Sequence, residues 1–482
     1  MVQTSVRSKQ TLHSRYNPQA EAEKYINTLT FRQNPRFFIL IEPGNGYMIP
    51  PLKNKYPEAK IIALHIEEPE DTQNHTDCVA WILDKGTPLT TFLENEIPDT
   101  KAEHLQIIEW RPALTVYRES YLKILAETVE FIKRIDANKR TVSAFGERWF
   151  KNFFKILGTT QKFIIPAHDS DTPCIITGAG PCLEESLSAI KSLKEKKRII
   201  ILAVSASVPA LRARDIYPDL IISTDGGNWA LFHIYECLRG MENVSISIAA
   251  SLFAALPALP ENANLLLISD GSFWQNLILQ NLKLPYINLA QRGTVSASAI
   301  DLALVLTKGS ICISGMDLAH KDIQSHARPY SLDRFSEEKS TRLTPFYSQN
   351  FVRSSEIAWG ESHNIYASWF GKILKEYPKR LYTLGNNHPV FGELKSWEKA
   401  DWGKEAYYPK ELFRKLDIKT IKTAKTNLAQ KGAEILLQAL ENPHIKWRIK
   451  DELSPLLFPE EEKVSIKILC DKILNTVKGI HG

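Results

Sequence analysis

The stretch CIITGAGPCLEESLSAIKSLKEKKRIIILAVS, Cys174 to Ser205, limits the fold of this chain more than any other. A four-residue apolar run leads into a glycine turn, an amphipathic helix and a second apolar run. Leu183, Leu187, Ile190 and Leu193 fall on one helix face, so the helix packs on a sheet. Strand, turn, crossover helix and strand make a β-α-β unit, and such a unit joins parallel strands. The alternation continues to about Leu384, with Leu220 to Ser223 and Ile311 to Ile313 among its apolar runs. That predicts an α/β chain with a central doubly wound, Rossmann-like sheet.

The 482 residues exceed what one core serves, so two or three domains are expected. Residues 1–114 read as a smaller Rossmann-like domain. There Phe37 to Ile41 is a buried strand, Gly44-Asn45-Gly46-Tyr47 a glycine loop and Ile61 to Leu64 a second strand ending near Glu67 and Glu68. A lone G-x-G is weak evidence for a nucleotide, and the structural reading of that loop is favoured. Pro50 and Pro51 give the following helix a late start. Residues 115–170 read as a helical connector. Tyr121, Leu122, Leu125, Val129 and Ile132 recur at helical spacing, as do Trp149, Phe150, Phe153, Phe154 and Leu157. Residues 171–394 carry the central sheet. Residues 395–482 read as a helical domain, with amphipathic stretches from Thr426 to Leu440 and Glu461 to Val477 around a segment holding Pro455 and Pro459.

A net charge of +5, spread over 60 basic and 55 acidic residues, gives no concentrated basic stripe and argues against nucleic acid. The six cysteines show no C-x-x-C spacing, so buried thiols in a reducing compartment are expected. No apolar run reaches the roughly 20 residues of a membrane span, and the N-terminus lacks a signal-peptide core. A cytoplasmic protein is expected.

The turn Gly178-Ala179-Gly180-Pro181-Cys182 admits two readings. Glycines let a phosphate approach the unpaired N–H groups at a helix start. They equally serve a tight turn for backbone reasons. Pro181 suits the first helical position. Leu183 stands where G-x-G-x-x-G needs its third glycine, and no G-K-[ST] follows, so a mononucleotide or sugar nucleotide fits better than a dinucleotide. On the phosphate reading, Gly180→Val blocks the ligand and spares the fold. Asp225, followed by Gly226 and Gly227, ends the strand beginning at Leu220. An acid there takes a ribose hydroxyl or a metal, or caps the next helix. Thr294 and Ser296 open a helix with Ala299, Leu302, Ala303 and Leu306 on its buried face. Gly315-Met316-Asp317 ends the next strand, and His320, His326 and Arg328 follow in a polar loop. That is more polar chemistry than packing requires.

These residues carry a resemblance. ITGAGPCLEES, DLIISTDGG and GTVSASAIDLALVLTKGSICISGMDLAH followed by SHARP resemble the motility accessory factor family, flagellin glycosyltransferases with an MptE-like domain. The likeness is dense from Cys174 to Gly315 and looser to Gly392. FGERWFKNFFKIL resembles the family's connector, and the GNGY unit its leading domain. More distantly, the central segment is similar to bacterial sialyltransferases that use CMP-sugars. Gly178, Gly180 and Pro181 match their CMP-binding turn, but Cys182 replaces a serine. Gly315 and Asp317 match a later strand end.

The resemblance implies transfer of a nonulosonic acid, of pseudaminic or legionaminic type, from a CMP-sugar donor to flagellin Ser/Thr hydroxyls. His326 is the first candidate base and His363 the second. The nucleotide would lie along Gly178, Ala179, Gly180, Pro181, Cys182, Asp225, Thr294, Ser296, Gly315 and Asp317. Without a D-x-D pair near Asp225, no metal and no cofactor are expected. The rival readings are a Mg²⁺- and ATP-dependent 6-hydroxymethylpterin diphosphokinase and a non-catalytic flagellin-binding protein.

Overall fold

The computed structural model describes residues 12–31, 35–97, 105–166, 171–196, 199–239, 241, 244–318, 324–346, 348, 369–371, 373–374, 377, 379–385, 391–392, 394–399, 413–417, 428–459, 461 and 464–480. The chain divides into two compact units, Met1–Ala144 and Phe145–Gly482.

The first unit holds a four-stranded parallel sheet in the order β3-β2-β1-β4. Its strands are β1 (Phe37–Ile41), β2 (Lys60–His65), β3 (Cys78–Ile82) and β4 (Leu105–Ile108). Around it lie α1 (Pro18–Thr28), α2 (Ile49–Lys55), α3 (Leu89–Glu96) and α4 (Arg111–Val116). The prolines open α2, as their lack of an N–H predicts.

Helix α5 runs 42 residues, Arg118–Thr159. Its early part buries Tyr121, Ile124, Thr128, Phe131 and Ile135. This corrects the expected stripe, because Leu122 and Val129 face solvent. Positions 121, 124, 128, 131 and 135 also recur every three or four residues, and the spacing alone does not choose the phase. The late part buries Phe150, Phe153, Phe154 and Leu157, as expected.

The second unit holds an eleven-stranded sheet ordered β14-β13-β12-β6-β7-β8-β9-β10-β5-β15, with β11 pairing β10. The strands are β5 (Lys162–Pro166), β6 (Cys174–Thr177), β7 (Ile200–Val204), β8 (Leu220–Ser223), β9 (Ile246–Ser251), β10 (Ala263–Ser269), β11 (Tyr286–Asn288), β12 (Ile311–Ser314), β13 (Leu381–Thr383), β14 (Lys395–Ser396) and β15 (Phe413–Asp417). All described pairings are parallel except β15 on β5. Helices α6 (Leu183–Glu195), α7 (Val208–Arg212), α8 (Asn228–Leu238), α9 (Phe273–Asn281) and α10 (Val295–Leu306) lie between strands, and α11 (Asp333–Glu338) follows β12. The sheet is the doubly wound α/β fold expected.

From β6 the chain winds outward through β7, β8, β9 and β10, then returns to place β12 on the other side of β6. The β6/β12 boundary is therefore the topological switch point, where such sheets open a crevice at their carboxyl ends.

The C-terminal segment differs from the expected pair of helices. Among the described residues three are present, Leu428–Glu441, Lys446–Leu457 and Ile466–Lys478, and β14 and β15, within the stretch read as helical, join the large sheet instead. Pro455 sits in the last turn of the middle one, whose buried Ile449, Leu453, Leu456 and Leu457 share one face. A proline there removes a single N–H close to the helix end, so the helix survives it. No helix among the described residues is long and apolar enough to cross a membrane.

Candidate functional site at the β6/β12 switch point

Strands β6 and β12 pair in register, with Thr177 opposite Ser314, so the turns that follow them meet. Gly178 donates its N–H to Ser314 O at 2.8 Å, and Gly180 donates to Gly315 O at 2.8 Å. The glycines are needed for this approach. A Cβ on Gly178 would strike the Gly315 carbonyl, and one on Gly315 would lie 2.6 Å from Gly178 O. A Cβ on Gly180 would land on the Asp317 carboxylate. Gly315 also adopts φ +68°, which glycine takes without strain.

This corrects one expectation. The N–H groups of Gly178, Gly180 and Cys182 are already used, the last by Asp317 Oδ2 at 3.2 Å. The turn's glycines serve the crossing of two loops. Gly180→Val would therefore not spare the fold. Pro181 also precedes α6 proper. Leu183, Glu184 and Glu185 each donate three residues back, to Gly180, Pro181 and Cys182, which is a 3₁₀ lead-in.

The start of α6 is acidic. Glu184 and Glu185 occupy its first turn, and Asp317 lies against Cys182. Three carboxylates thus complement the positive end of the helix dipole. Burial raises the Asp317 carboxyl above its usual range, and the Cys182 bonds offset only part of that rise.

The segment after β12 returns to this turn. Ala327 donates its N–H to Ala179 O at 2.9 Å, and Arg328 donates its N–H to Glu184 Oε1 at 2.8 Å. His326 is half-buried, with Nδ1 3.0 Å from Ser325 Oγ. Its ring stacks on Tyr330, centroids 4.0 Å apart and planes 3° from parallel. Arg328 sets its guanidinium over Phe346 at 5.3 Å and lies 4.0 Å from Asp333 Oδ2. An imidazole held in this way can accept a proton from a hydroxyl at the crevice. His363 and His320 lie outside the described residues.

Asp225 is exposed at the end of β8, and its Oδ1 accepts the Gly227 N–H at 2.8 Å. Gly226 is glycine because Trp149 and the Phe253 carbonyl press on it. Thr294 caps α10, accepting the Ala297 N–H at 3.3 Å, and Ser296 lies half-buried in the first turn. Helix α10 packs on β6, β7 and β8, so its start joins the same carboxyl edge. Sequence reasoning missed His233, Tyr330, Ser331 and Glu184. His233 sits in an apolar helix run, where nothing distinguishes it from packing. Among the described residues, no three His, Cys, Asp or Glu side chains come together in a way that could hold a metal ion.

The glycine loop of the first unit is filled by the chain's own imidazoles. His13 lies against Gly44 (φ +58°) and His75 against Gly46 (φ +72°). His13 Nε2 is 3.0 Å from Pro43 O, and its ring stacks on Trp110. The acid at this strand end is the buried Glu42, whose carboxylate accepts the N–H groups of Gly44, Ile66 and Glu67.

With this geometry in view, residues 147–322 match the family model described as 6-hydroxymethylpterin diphosphokinase MptE-like. This segment is similar to that family. It contains the crossed turns, Asp225 and His233, and ends four residues before His326. Over the whole chain, the structure is similar to that of the MAf glycosyltransferase from Magnetospirillum magneticum AMB-1. The TM-score is 0.50 at 12% identity, covering 96% of this chain and 77% of that one. This likeness establishes the fold. Three uncharacterized proteins of Treponema pallidum (strain Nichols) are also similar. The first is 26% identical over 328 residues, 67% of this chain and 70% of the relative. The others are 25% and 30% identical, and the matches span 42% and 55% of their lengths.

Proposed function

We propose that this protein is a glycosyltransferase that moves a nonulosonic acid, of pseudaminic or legionaminic type, from a CMP-sugar to serine or threonine hydroxyls of flagellin. The reading places the reaction in the cytoplasm and needs no metal or cofactor. The observation that carries it is the pinning of the His326 loop to the β6 turn, Ala327 N–H to Ala179 O at 2.9 Å. On this reading the pinned loop holds His326, as the proton acceptor, beside the β6 turn, and the likeness of the fold to that of a glycosyltransferase supports it.

In the reaction, the acceptor oxygen bonds to the anomeric carbon while the bond from that carbon to the phosphate oxygen breaks. CMP leaves with the electron pair. The acceptor proton passes to His326 and then to water. His363 is the rival for that role. The nucleotide lies along the turn from Gly178 to Cys182 and the neighbouring Asp225, Thr294, Ser296, Gly315 and Asp317. Since Asp317 takes the Cys182 N–H, a donor phosphate must displace that carboxylate or bind beside it. The test is the intact mass of flagellin co-expressed with this protein and a nonulosonic-acid pathway. A sugar increment supports the reading, and unchanged mass overturns it.

The MptE-like match favours one second reading, pyrophosphoryl transfer from Mg²⁺-ATP to a hydroxymethylpterin. Asp225 and Asp317 would then have to hold the metal, yet they follow β8 and β12, which have β6 and β7 between them, and neither belongs to a metal-holding group among the described residues. AMP release that needs both the pterin and Mg²⁺, and stops with EDTA, would select this activity. Sugar transfer undiminished by EDTA selects the first.

A further inference from the structure

His233 lies on α8, half-buried, and its Nδ1 meets Ser331 Oγ. Ser331 closes the segment that carries His326. Near its start, that segment is tied to the β6 turn and to α6. Gln324 Nε2 bonds Glu184, the Ala327 N–H bonds Ala179 O, and the Arg328 N–H bonds Glu184. Near its end, the hydrogen-bonding tie to α8 is the Ser331–His233 contact, and the Trp229 ring of α8 meets Phe335 of α11 just beyond. Tyr330 sits next to that tie. Its ring is 4.0 Å from the His326 ring and 5.4 Å from the His233 ring.

We propose that His233 is a positioning residue, which by gripping Ser331 beside Tyr330 fixes the platform on which the His326 imidazole lies. A stacked ring keeps its orientation only while its partner keeps its own. Asp333 holds the Tyr330 backbone through the Tyr330 N–H to its Oδ2 at 3.1 Å and its own N–H to Tyr330 O at 3.0 Å, but Tyr330 is one residue from the grip, so release of Ser331 loosens the platform. Displacing a reacting group by about 1 Å costs on the order of 10²-fold in rate. The groups facing His233 are Ser331, Tyr330 and, electrostatically, Asp225. Burial keeps His233 neutral more than Asp225 opposes it, so Nδ1 bonds a hydroxyl without carrying charge. The role of His326 rests on the glycosyltransferase reading, whereas the grip is measurable without any reaction.

The test uses the full chain as wild type, His233→Ala, His233→Asn, Ser331→Ala and the double alanine variant. An asparagine amide stands close to where Nδ1 does and does not titrate. Hydrogen exchange is followed in peptides covering residues 324–331, and CMP release is followed with CMP-pseudaminic and CMP-legionaminic acids as donors and flagellin as acceptor. Both single alanine variants should exchange faster in that segment, with the double variant no worse. They should lose about 10–100-fold in kcat with donor KM unchanged, and His233→Asn should restore both readouts. Equal exchange in all variants overturns the grip. Faster exchange with unchanged kcat overturns the positioning role. Normal exchange in His233→Asn with kcat as low as in His233→Ala overturns it too, and makes His233 a chemical participant. A wild type that releases no CMP sinks the donor reading and the catalytic half of the proposal. The exchange data then judge the grip alone.

Discussion

The Asp317 carboxylate accepts the backbone N–H of Cys182 at 3.2 Å, at the start of α6 and across the β6/β12 boundary. An acid of the chain's own thus stands where a helix start invites an anion. Two consequences bear on experiment. The space beside Gly180 is taken by that carboxylate, and a ligand phosphate has a competitor.

Gly180→Ala is expected to destabilise the second unit. Its Cβ would meet both the Asp317 carboxylate and, at 2.8 Å, the Gly315 carbonyl. Overpacking of this kind costs about 1–3 kcal/mol. Chemical denaturation should show the loss. A variant as stable as wild type would mean that the two turns separate easily.

Asp317→Asn is expected to tighten CMP binding. The substitution removes a buried negative charge from the helix start, where a charge is worth about 0.3–1 kcal/mol, so the gain should be about two- to fivefold. Calorimetry with CMP measures it. A tenfold or greater loss would show that Asp317 holds the nucleotide directly.

His326→Ala is expected to keep CMP binding and to lose about 10²–10⁴-fold in transfer to flagellin. His363→Ala is the matched control, read by the mass increment on flagellin per unit time. If only the control loses transfer, the base is His363. If neither does, Asp225 and Asp317 are next.

The first unit should lose stability as pH falls below 6.5. Burial lowers the proton affinity of His13 and His75 below the ordinary value of 6.5. Between that value and the lower folded ones, the unfolded chain binds protons that the folded unit resists. Their contribution is therefore complete above 6.5 and fades as pH falls through the folded values. Thermal unfolding between pH 8 and 5 should show the decline, and His13→Phe should flatten it. An equal slope in the variant would exclude His13 as a source.

Much of the fold was legible because its signals are local. The helix from Leu183 shows its buried face in four residues, and all four are buried. Thr294 reads as opening a helix, and it caps α10. Strand β12 and the helix before it follow from apolar runs of the right length. Period alone misjudged the early part of α5, since two stripes one residue apart fit equally well. The packing of Tyr121, Ile124 and Phe131 chose between them.

The candidate site was less legible. The sequence by itself determined the α/β class, the parallel winding and the collection of polar residues at strand ends, because period, turn chemistry and crossover length are properties of neighbouring residues. Only the tertiary structure decided what the glycines are for. Gly178 and Gly180 make room for Gly315 and Asp317, more than 130 residues away along the chain. Gly44 and Gly46 make room for His13 and His75. It likewise brought His233 to Ser331 and Tyr330 to His326. A glycine's pattern is the same whether a ligand or another loop comes close. What occupies the space is set by packing between distant segments, which no local spacing encodes.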